Sequence, residues 1–277
     1  MTLISRTSTK PKILSAHFCS GVLQAVTHMG RSKGGGKGGK APAAVSASGD
    51  DGRGFIAPPA VVGSLLGDAF RPSKKRGIEV ESVGPDAWVA RGVLTPGECD
   101  AIRAAADARG YSHATSRGAR YGEADRDHGR ASYDDAALAD AIWERTGLGE
   151  ALVPILGPSG DSSPAGLNPA LRVYRYAVGE VFGAHYDEST DVAAGGHTEF
   201  TFLLYLTGGV VGGETAFYRH ALLARDDAKE TFRVAPELGK ALVFRHGTRC
   251  PPHASLAVER GTKVVLRSDV VYERRRG

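Results

Sequence analysis

Leu171-Arg-Val-Tyr-Arg-Tyr176-Ala-Val-Gly-Glu-Val181-Phe-Gly-Ala-His185-Tyr-Asp187 holds two short runs of β-branched and aromatic residues around a glycine-containing break. Such side chains suit a pleated, packed surface, so Leu171–Tyr176 and Val181–His185 read as two strands. The second run ends on His185-Tyr186-Asp187. Residues two apart on a strand share a face, so His185 and Asp187 can both reach one metal ion. The polar Glu188-Ser189-Thr190-Asp191 follows, which places the pair where a strand opens on solvent. Taken alone, the pair reads more simply as a surface histidine beside an acidic loop.

Similar runs continue toward the C-terminus, separated by Gly, Pro and Asp turns: Phe200–Leu206, Glu214–Tyr218, Phe232–Val234, Ala241–Phe244 and Lys263–Tyr272. Several short strands with regular turn signals predict an all-β sandwich or barrel. The N-terminal side differs. Order is expected to begin near Val83, with Trp88-Val89-Ala90 as a short strand. Thr95-Pro96-Gly97-Glu98 is a capping box, with Thr95 as N-cap and Pro96 at the first helical position. Its helix should run to about Arg109 and stop at Gly110. A second helix is expected after Asp134-Asp135, with Leu138 and Ile142 on one face. Between the two helices, Ser116–Arg130 is rich in Arg, Asp and Gly and reads as an exposed loop, over a substrate groove or on plain surface. Helices first and strands after give an α+β class with a β-core.

Residues 1 to about 80 are of low complexity, and the domain is expected over 81–277. The charge is uneven: residues 1–49 hold seven Lys/Arg and no Asp or Glu, so the rest carries 28 basic against 31 acidic residues despite the net +4. The basic character belongs to the tail, which argues against nucleic acid as a partner of the domain. An acid-free basic N-terminus with Ser and Thr resembles an organellar transit peptide, and a flexible solvated tail fits it equally. An intracellular setting follows: plastid or mitochondrion if the tail targets, otherwise cytoplasm or nucleus. Cys19, Cys99 and Cys250 are odd in number and widely spaced, against a disulfide framework. No apolar run approaches the roughly 18 to 20 residues of a membrane span.

Of the other histidines, His253 is preferred as a third ligand. It precedes a β-rich run in which Lys263 lies ten residues on. A ligand at a strand start and a cation on the next strand would place a metal and a carboxylate anchor in one pocket. His246 is the competitor. His197-Thr198-Glu199 repeats the spacing of the first pair but follows the flexible Ala193-Ala194-Gly195-Gly196, and ranks below it. Two imidazoles and one carboxylate suit Fe(II) with open positions for substrate and dioxygen.

Several segments now align in order: Tyr174–Asp187, then Thr201-Phe-Leu-Leu-Tyr-Leu206, Gly212-Gly-Glu-Thr-Ala-Phe217, Val234-Ala-Pro-Glu-Leu-Gly-Lys-Ala-Leu-Val-Phe244 and His253 with Lys263. Together the chain from about Val83 to Tyr272 resembles the prolyl 4-hydroxylase-like branch of the Fe(II)/2-oxoglutarate-dependent dioxygenases. The resemblance implies a double-stranded β-helix (jelly-roll) core with N-terminal flanking helices. It implies His185, Asp187 and His253 as iron ligands and Lys263 as partner of the far carboxylate of 2-oxoglutarate, helped by Tyr176 and Thr201. Without it, Tyr176 and Thr201 read as core residues. Arg267, four residues past Lys263 and on the same strand face, competes for the anchor. Glu214 and Thr215 are assigned a fold role, and Gly212-Gly213 turn chemistry.

The activity implied is hydroxylation of a C–H bond, with a protein or peptide as partner and a peptidyl proline as target. O2 is consumed, succinate and CO2 are released, and L-ascorbate restores iron after uncoupled turnovers. The Arg245–Pro252 segment is shorter and more basic than in the collagen-modifying members, and no secretory or retention signal stands out, which disfavours collagen. The rivals are an oxidative demethylase of alkylated nucleic acid, opposed by the net acidic domain, and a non-catalytic jelly-roll binding protein, opposed by the complete ligand set.

Overall fold

Residues 61, 63–113, 124–192, 196–219 and 229–274 are described by the computed structural model. The basic N-terminal segment read as a transit peptide or tail lies outside the described residues, as does most of the Ser116–Arg130 loop.

The chain starts with β1 (Glu79–Gly84), β2 (Ala87–Arg91) and helix α1 (Pro96–Arg109). Thr95 Oγ1 accepts from the Glu98 amide while the Glu98 carboxylate accepts from the Thr95 amide, so the capping box is present. Cys99, Ile102 and Ala106, spaced three and four apart, form its buried face. Next come β3 (Ser112–His113), β4 (Gly129–Asp134) and α2 (Ala136–Asp140), which Asp135 caps and which runs on into a wider turn over Ala141–Arg145. Leu138 and Ile142 are both buried there, on one side as expected. A third helix, α3 (Leu148–Leu156), was not expected; glycines at both ends and Pro154 within it mask its Leu148, Leu152, Leu156 stripe.

The strands that follow are β5 (Ser162–Leu167), β6 (Ala170–Tyr176), β7 (Phe182–His185), β8 (Asp191–Val192), β9 (Gly196–Tyr205), β10 (Val211–Gly212), β11 (Thr215–Tyr218), β12 (Glu230–Val234), β13 (Ala241–Arg245), β14 (His253–Ser255), β15 (Val258–Arg260) and β16 (Lys263–Arg274). Among the described residues they form two antiparallel sheets of a jelly-roll core plus the short β10–β15 pair. The large sheet runs β1-β2-β13-β9-β16-β6-β4-β3, and the small one β12-β11-β14-β7. The class is α+β, with the helices against the outer face of the large sheet. No helix among the described residues is long and apolar enough to cross a membrane.

Central strands of the large sheet bury both faces. On β16, Val264, Leu266, Val270 and Tyr272 join the core that includes the helices, while Val265 turns to the small sheet. Strand β9 divides in the same way, Phe200, Phe202 and Leu204 against Tyr205. The cross-sheet core stacks Phe217 against Phe232 and sets Phe244 edge-on to Phe217.

The packed region begins earlier than the expected start near Val83. Leu65 and Phe70 are buried in the helix-side core, and Asp135 Oδ2 accepts from the Ser64 hydroxyl and from the amides of Leu65, Leu66 and Gly67. The run Val61-Val-Gly-Ser-Leu-Leu-Gly-Asp-Ala-Phe70 is apolar but broken by glycines, which leaves no clean periodicity to read, although one carboxylate secures three amides. Burial alone would raise the Asp135 pKa, but these amides hold it below the ordinary value. Its stabilisation is therefore present above the unfolded carboxylate value of about 4 and lost as pH falls through the folded value. Asp135→Ala should cost about 3 kcal/mol in urea unfolding at pH 7 and flatten the acid limb of the stability–pH curve. An unaltered acid limb would show that Asp135 does not fasten this segment.

Candidate metal and co-substrate site

Cross-strand pairing brings the first ligands together. His185, at the end of β7, is the register partner of His253, at the start of β14. Asp187 lies two residues beyond the strand, not within it. Its position is set by backbone contacts: the Gly247 amide donates to its carbonyl, and its own amide donates to Cys250 Sγ. The expected shared face is reached, but through a loop held by the Gly247–Cys250 turn.

One atom from each of the three side chains lies within 4.8 Å of the others. His253 Nε2 is 3.3 Å from Asp187 Oδ2, and His185 Nε2 is 3.7 Å from Oδ1. Both imidazoles place Nδ1 on a backbone carbonyl, His185 at 2.8 Å from Gly183 and His253 at 3.0 Å from Pro251. Neutral rings donate through Nδ1 there and keep the Nε2 lone pair for a metal. Two nitrogens and one carboxylate oxygen fit Fe(II). The rings are themselves wedged: Phe182 stacks on His185 at 3.8 Å, and Phe244 meets His253 edge-on at 4.6 Å. Burial pushes His185 down to about 3. Burial opposes charge on His253 too, but the Asp187 carboxylate overrides it and brings the ring up to about 9.

A narrow cavity runs from these ligands along the inner face of the large sheet to Lys263. Lys263 and Tyr176 are direct partners on β16 and β6, both buried. The Lys263 ammonium donates to the Gly213 carbonyl at 2.7 Å and to Ser255 Oγ at 2.8 Å, and lies 4.9 Å from the centre of the Tyr176 ring. An ammonium has three donors, so one remains for a ligand. With no carboxylate bonded to it, burial pulls its pKa down to about 7. This arrangement suits the distal carboxylate of a dianion. Gly213 is part of it: at φ +69° a Cβ would come 3.2 Å from Lys263 Cδ.

Thr201 lies elsewhere. Its hydroxyl donates to Asp187 Oδ2 at 2.7 Å and meets His246 Nδ1 at 3.2 Å, and it does not line the cavity. It shares the inward face of β9 with Leu203 and Tyr205, but at the end of the His185–Asp187–His253 group, where it holds the Asp187 carboxylate. Thr215, given only a fold role above, lines the Lys263 end and is 2.9 Å from the Tyr205 hydroxyl. Ser255, two residues past His253, was also missed; the alternation of β14 was the available signal. Arg267 shares the face of Lys263 but reaches the other end, with Nη2 3.1 Å from Asp187 Oδ1 and 3.3 Å from Asp269. Burial disfavours the Asp187 charge, yet Arg267 and then His253 hold its carboxyl well below the usual range.

The competing histidines are accounted for. His246 is buried behind Asp187, against Thr201. His197 lies within β9, not in a strandless stretch, and its Nε2 is 2.9 Å from Glu199, whose other oxygen takes Arg245 at 2.7 Å. The described end of the Ser116–Arg130 loop is not exposed throughout: His128 is buried, stacked on Tyr176 at 4.4 Å.

Residues 171–268 match the family model of the 2OG-Fe(II) oxygenase superfamily. Over that segment the chain is similar to the 2OG-Fe(II) oxygenases. A 2OG-Fe(II) oxygenase domain implies Fe(II), 2-oxoglutarate and O2, and the ligand set above fits them. The chain is 31% identical to "Prolyl 4-hydroxylase 2" of Arabidopsis thaliana over 195 residues, 63% of this chain and 60% of that protein. It is 28% identical to "Probable prolyl 4-hydroxylase 4" of the same plant over 193 residues, 62% of this chain and 60% of the relative. It thus spans 60% of the length of each of these relatives. A solved viral collagen prolyl hydroxylase from Paramecium bursaria Chlorella virus-1, in its 2OG complex, is 21% identical, with 68% of this chain and 97% of that chain covered and a TM-score of 0.47.

Lys263→Met should weaken 2-oxoglutarate binding by about tenfold to a hundredfold while leaving metal affinity near native, as read by titration calorimetry. Gly213→Ala should weaken it in the same sense. Because the free ammonium titrates near 7 and its anion-bound form should titrate higher, binding above pH 7 should take up a proton and lose affinity. Calorimetry in two buffers of different ionisation enthalpy checks this; equal heats at pH 8 would contradict it.

Proposed function

We propose that this domain is a dioxygenase that hydroxylates a peptidyl proline, turning 2-oxoglutarate and O2 into succinate and CO2 as the C–H bond becomes C–OH. The observation that carries the reading is one continuous cavity with the His185–Asp187–His253 set at one end and, at the other, the buried Lys263 ammonium, to which no carboxylate among the described residues is bonded. The distal carboxylate of 2-oxoglutarate is assigned to Lys263, with Ser255, Tyr176 and Thr215 around it. Bound iron supplies the oxidising chemistry, and the protein supplies position and a dry setting.

Each residue has a task in that scheme. His185, Asp187 and His253 would hold Fe(II), the imidazoles through Nε2. Thr201 and Arg267 fix the Asp187 carboxylate by hydrogen bond and charge. Phe182 and Phe244 fix the imidazole planes and keep water from their edges. L-Ascorbate as reductant after uncoupled turnovers, and proline as the target rather than another residue, are taken from the likeness to the prolyl 4-hydroxylases. The intact ligand set and the buried cation favour this reading over a non-catalytic binding role.

With Fe(II), 2-oxoglutarate, ascorbate and proline-containing peptides, mass spectrometry should find one added oxygen on proline and matching succinate. His253→Ala should abolish iron binding and both products. Succinate release that persists in this variant would sink the ligand assignment, and succinate without peptide oxidation would move the target away from peptidyl proline.

A further inference from the structure

The inner face of the large sheet holds more positive charge than iron and 2-oxoglutarate binding uses. Arg130 on β4 is the register partner of Tyr174 on β6, and Arg172 on β6 is the partner of Arg267 on β16. Tyr174 and Arg267 line the cavity. Partners directly opposite on antiparallel strands project to one side, so three guanidinium groups converge around the Tyr174 phenol, beside the metal ligands. Like charges placed opposite each other repel, and such an arrangement calls for a counter-ion.

Among the described residues, only one of the three arginines is paired with an anion. Arg267 is held by Asp187 and Asp269. Arg172, opposite Arg267, faces the neighbouring groove and has no ion pair with a described residue. Arg130 lies 5.9 Å from the centre of the Tyr174 ring, and its Nε is buried without a partner. The electrostatics agree with the geometry: burial raises the Tyr174 phenol pKa, but Arg267, Arg172 and Arg130 together bring it below its ordinary value. Burial also destabilises the Arg130 cation. From Arg172 the surface opens into a groove of about 530 Å³ and changes sign, with Asp269, already paired with Arg267, and Asp140, Asp191 and Glu273 on its walls. An anion is therefore favoured only at the inner end, next to the metal.

We propose that Arg130 and Arg172 form an anion subsite for the substrate, receiving a carboxylate that a peptide carries close to the residue to be oxidised. The subsite rests on the proposed function, since it needs a peptide lying across the metal end of the cavity. Guanidinium groups suit a carboxylate by paired N–H donation. The acidic outer groove orients the chain, with the anionic residue inward and cationic residues outward. The carboxylate is an Asp or Glu side chain or the peptide's own C-terminus.

Fluorescence anisotropy with labelled single-proline peptides, on protein loaded with Mn(II) and 2-oxoglutarate, tests this. Asp at successive positions is compared with Asn, and free with amidated C-termini. A carboxylate near the proline should tighten binding about tenfold to a hundredfold, and the arm that shows the gain identifies its source. Arg172→Glu should transfer the preference from Asp to Lys peptides, an outcome that a misfolded variant cannot give, and Arg130→Gln should reduce it. Equal affinity for all peptides, binding of none, or an Asp preference that survives both substitutions overturns the subsite. Succinate release by the native Fe(II) protein, measured in parallel, separates the two readings. Its absence refutes the dioxygenase, whereas its presence without a charge preference refutes the subsite alone.

Discussion

The alternation of β16 is the constraint on which the site depends. One face of this strand must supply Val264, Leu266, Val270 and Tyr272 to the core shared with the helices. The residues between them, Lys263, Val265 and Arg267, are thereby committed to the cavity. A slip of one residue would drive a lysine and an arginine into an apolar core and turn Leu266 toward the metal. The penalty for that slip far exceeds any local adjustment, so the apolar face sets the register of the chemical face. Strands β6 and β9 obey the same rule and add Tyr174, Tyr176, Thr201 and Tyr205 to the inner surface in rows matched to β16.

Burial of so much charge is costly, and the structure compensates only part of it. Asp187 is balanced by Arg267 and hydrogen-bonded by Thr201. Lys263 is balanced only from a distance, by Glu214; among the described residues it bonds a carbonyl and a hydroxyl but no anion. A buried cation left in this state is a liability for stability and an asset for binding, because a dianion entering the cavity meets a donor already desolvated and aimed. The site is thus pre-organised for negative charge at its far end and for a divalent cation at its near end.

Much of this was legible in the sequence, for a local reason. Strands rich in Val, Phe and Tyr and bounded by Gly and Pro announce themselves, and the Thr95–Glu98 box marks a helix start without reference to the fold. The grouping of His185, Asp187 and His253, with Lys263 in the same cavity, was legible from two short spacings: His185 and Asp187 two apart, and Lys263 ten past His253. What escaped depends on long-range register. Thr201 lies on the expected face but at the other end of the cavity, and nothing near it in the chain distinguishes the two ends. Asp187 reaches the metal end through contacts with Gly247 and Cys250, some sixty residues away. Arg172 becomes a neighbour of Arg267 only when β6 pairs with β16. Leu65 and Phe70 dock through Asp135, which reads in sequence as a helix cap and nothing more.

The two ends of the cavity are tied by rings as well as by strands. The Lys263 ammonium faces Tyr176, which stacks on His128 at 4.4 Å; His128 lies 5.4 Å from Phe182, and Phe182 stacks on His185 at 3.8 Å. Aromatic stacks are stiff against sliding in a packed interior, since displacing one ring opens a void beside the next. The ladder therefore fixes the Lys263 strand of the large sheet against the His185 strand of the small one, beyond the backbone pairing of Lys263 with Tyr176 within the large sheet. A packed link of this kind presets the spacing between ammonium and imidazole before anything binds.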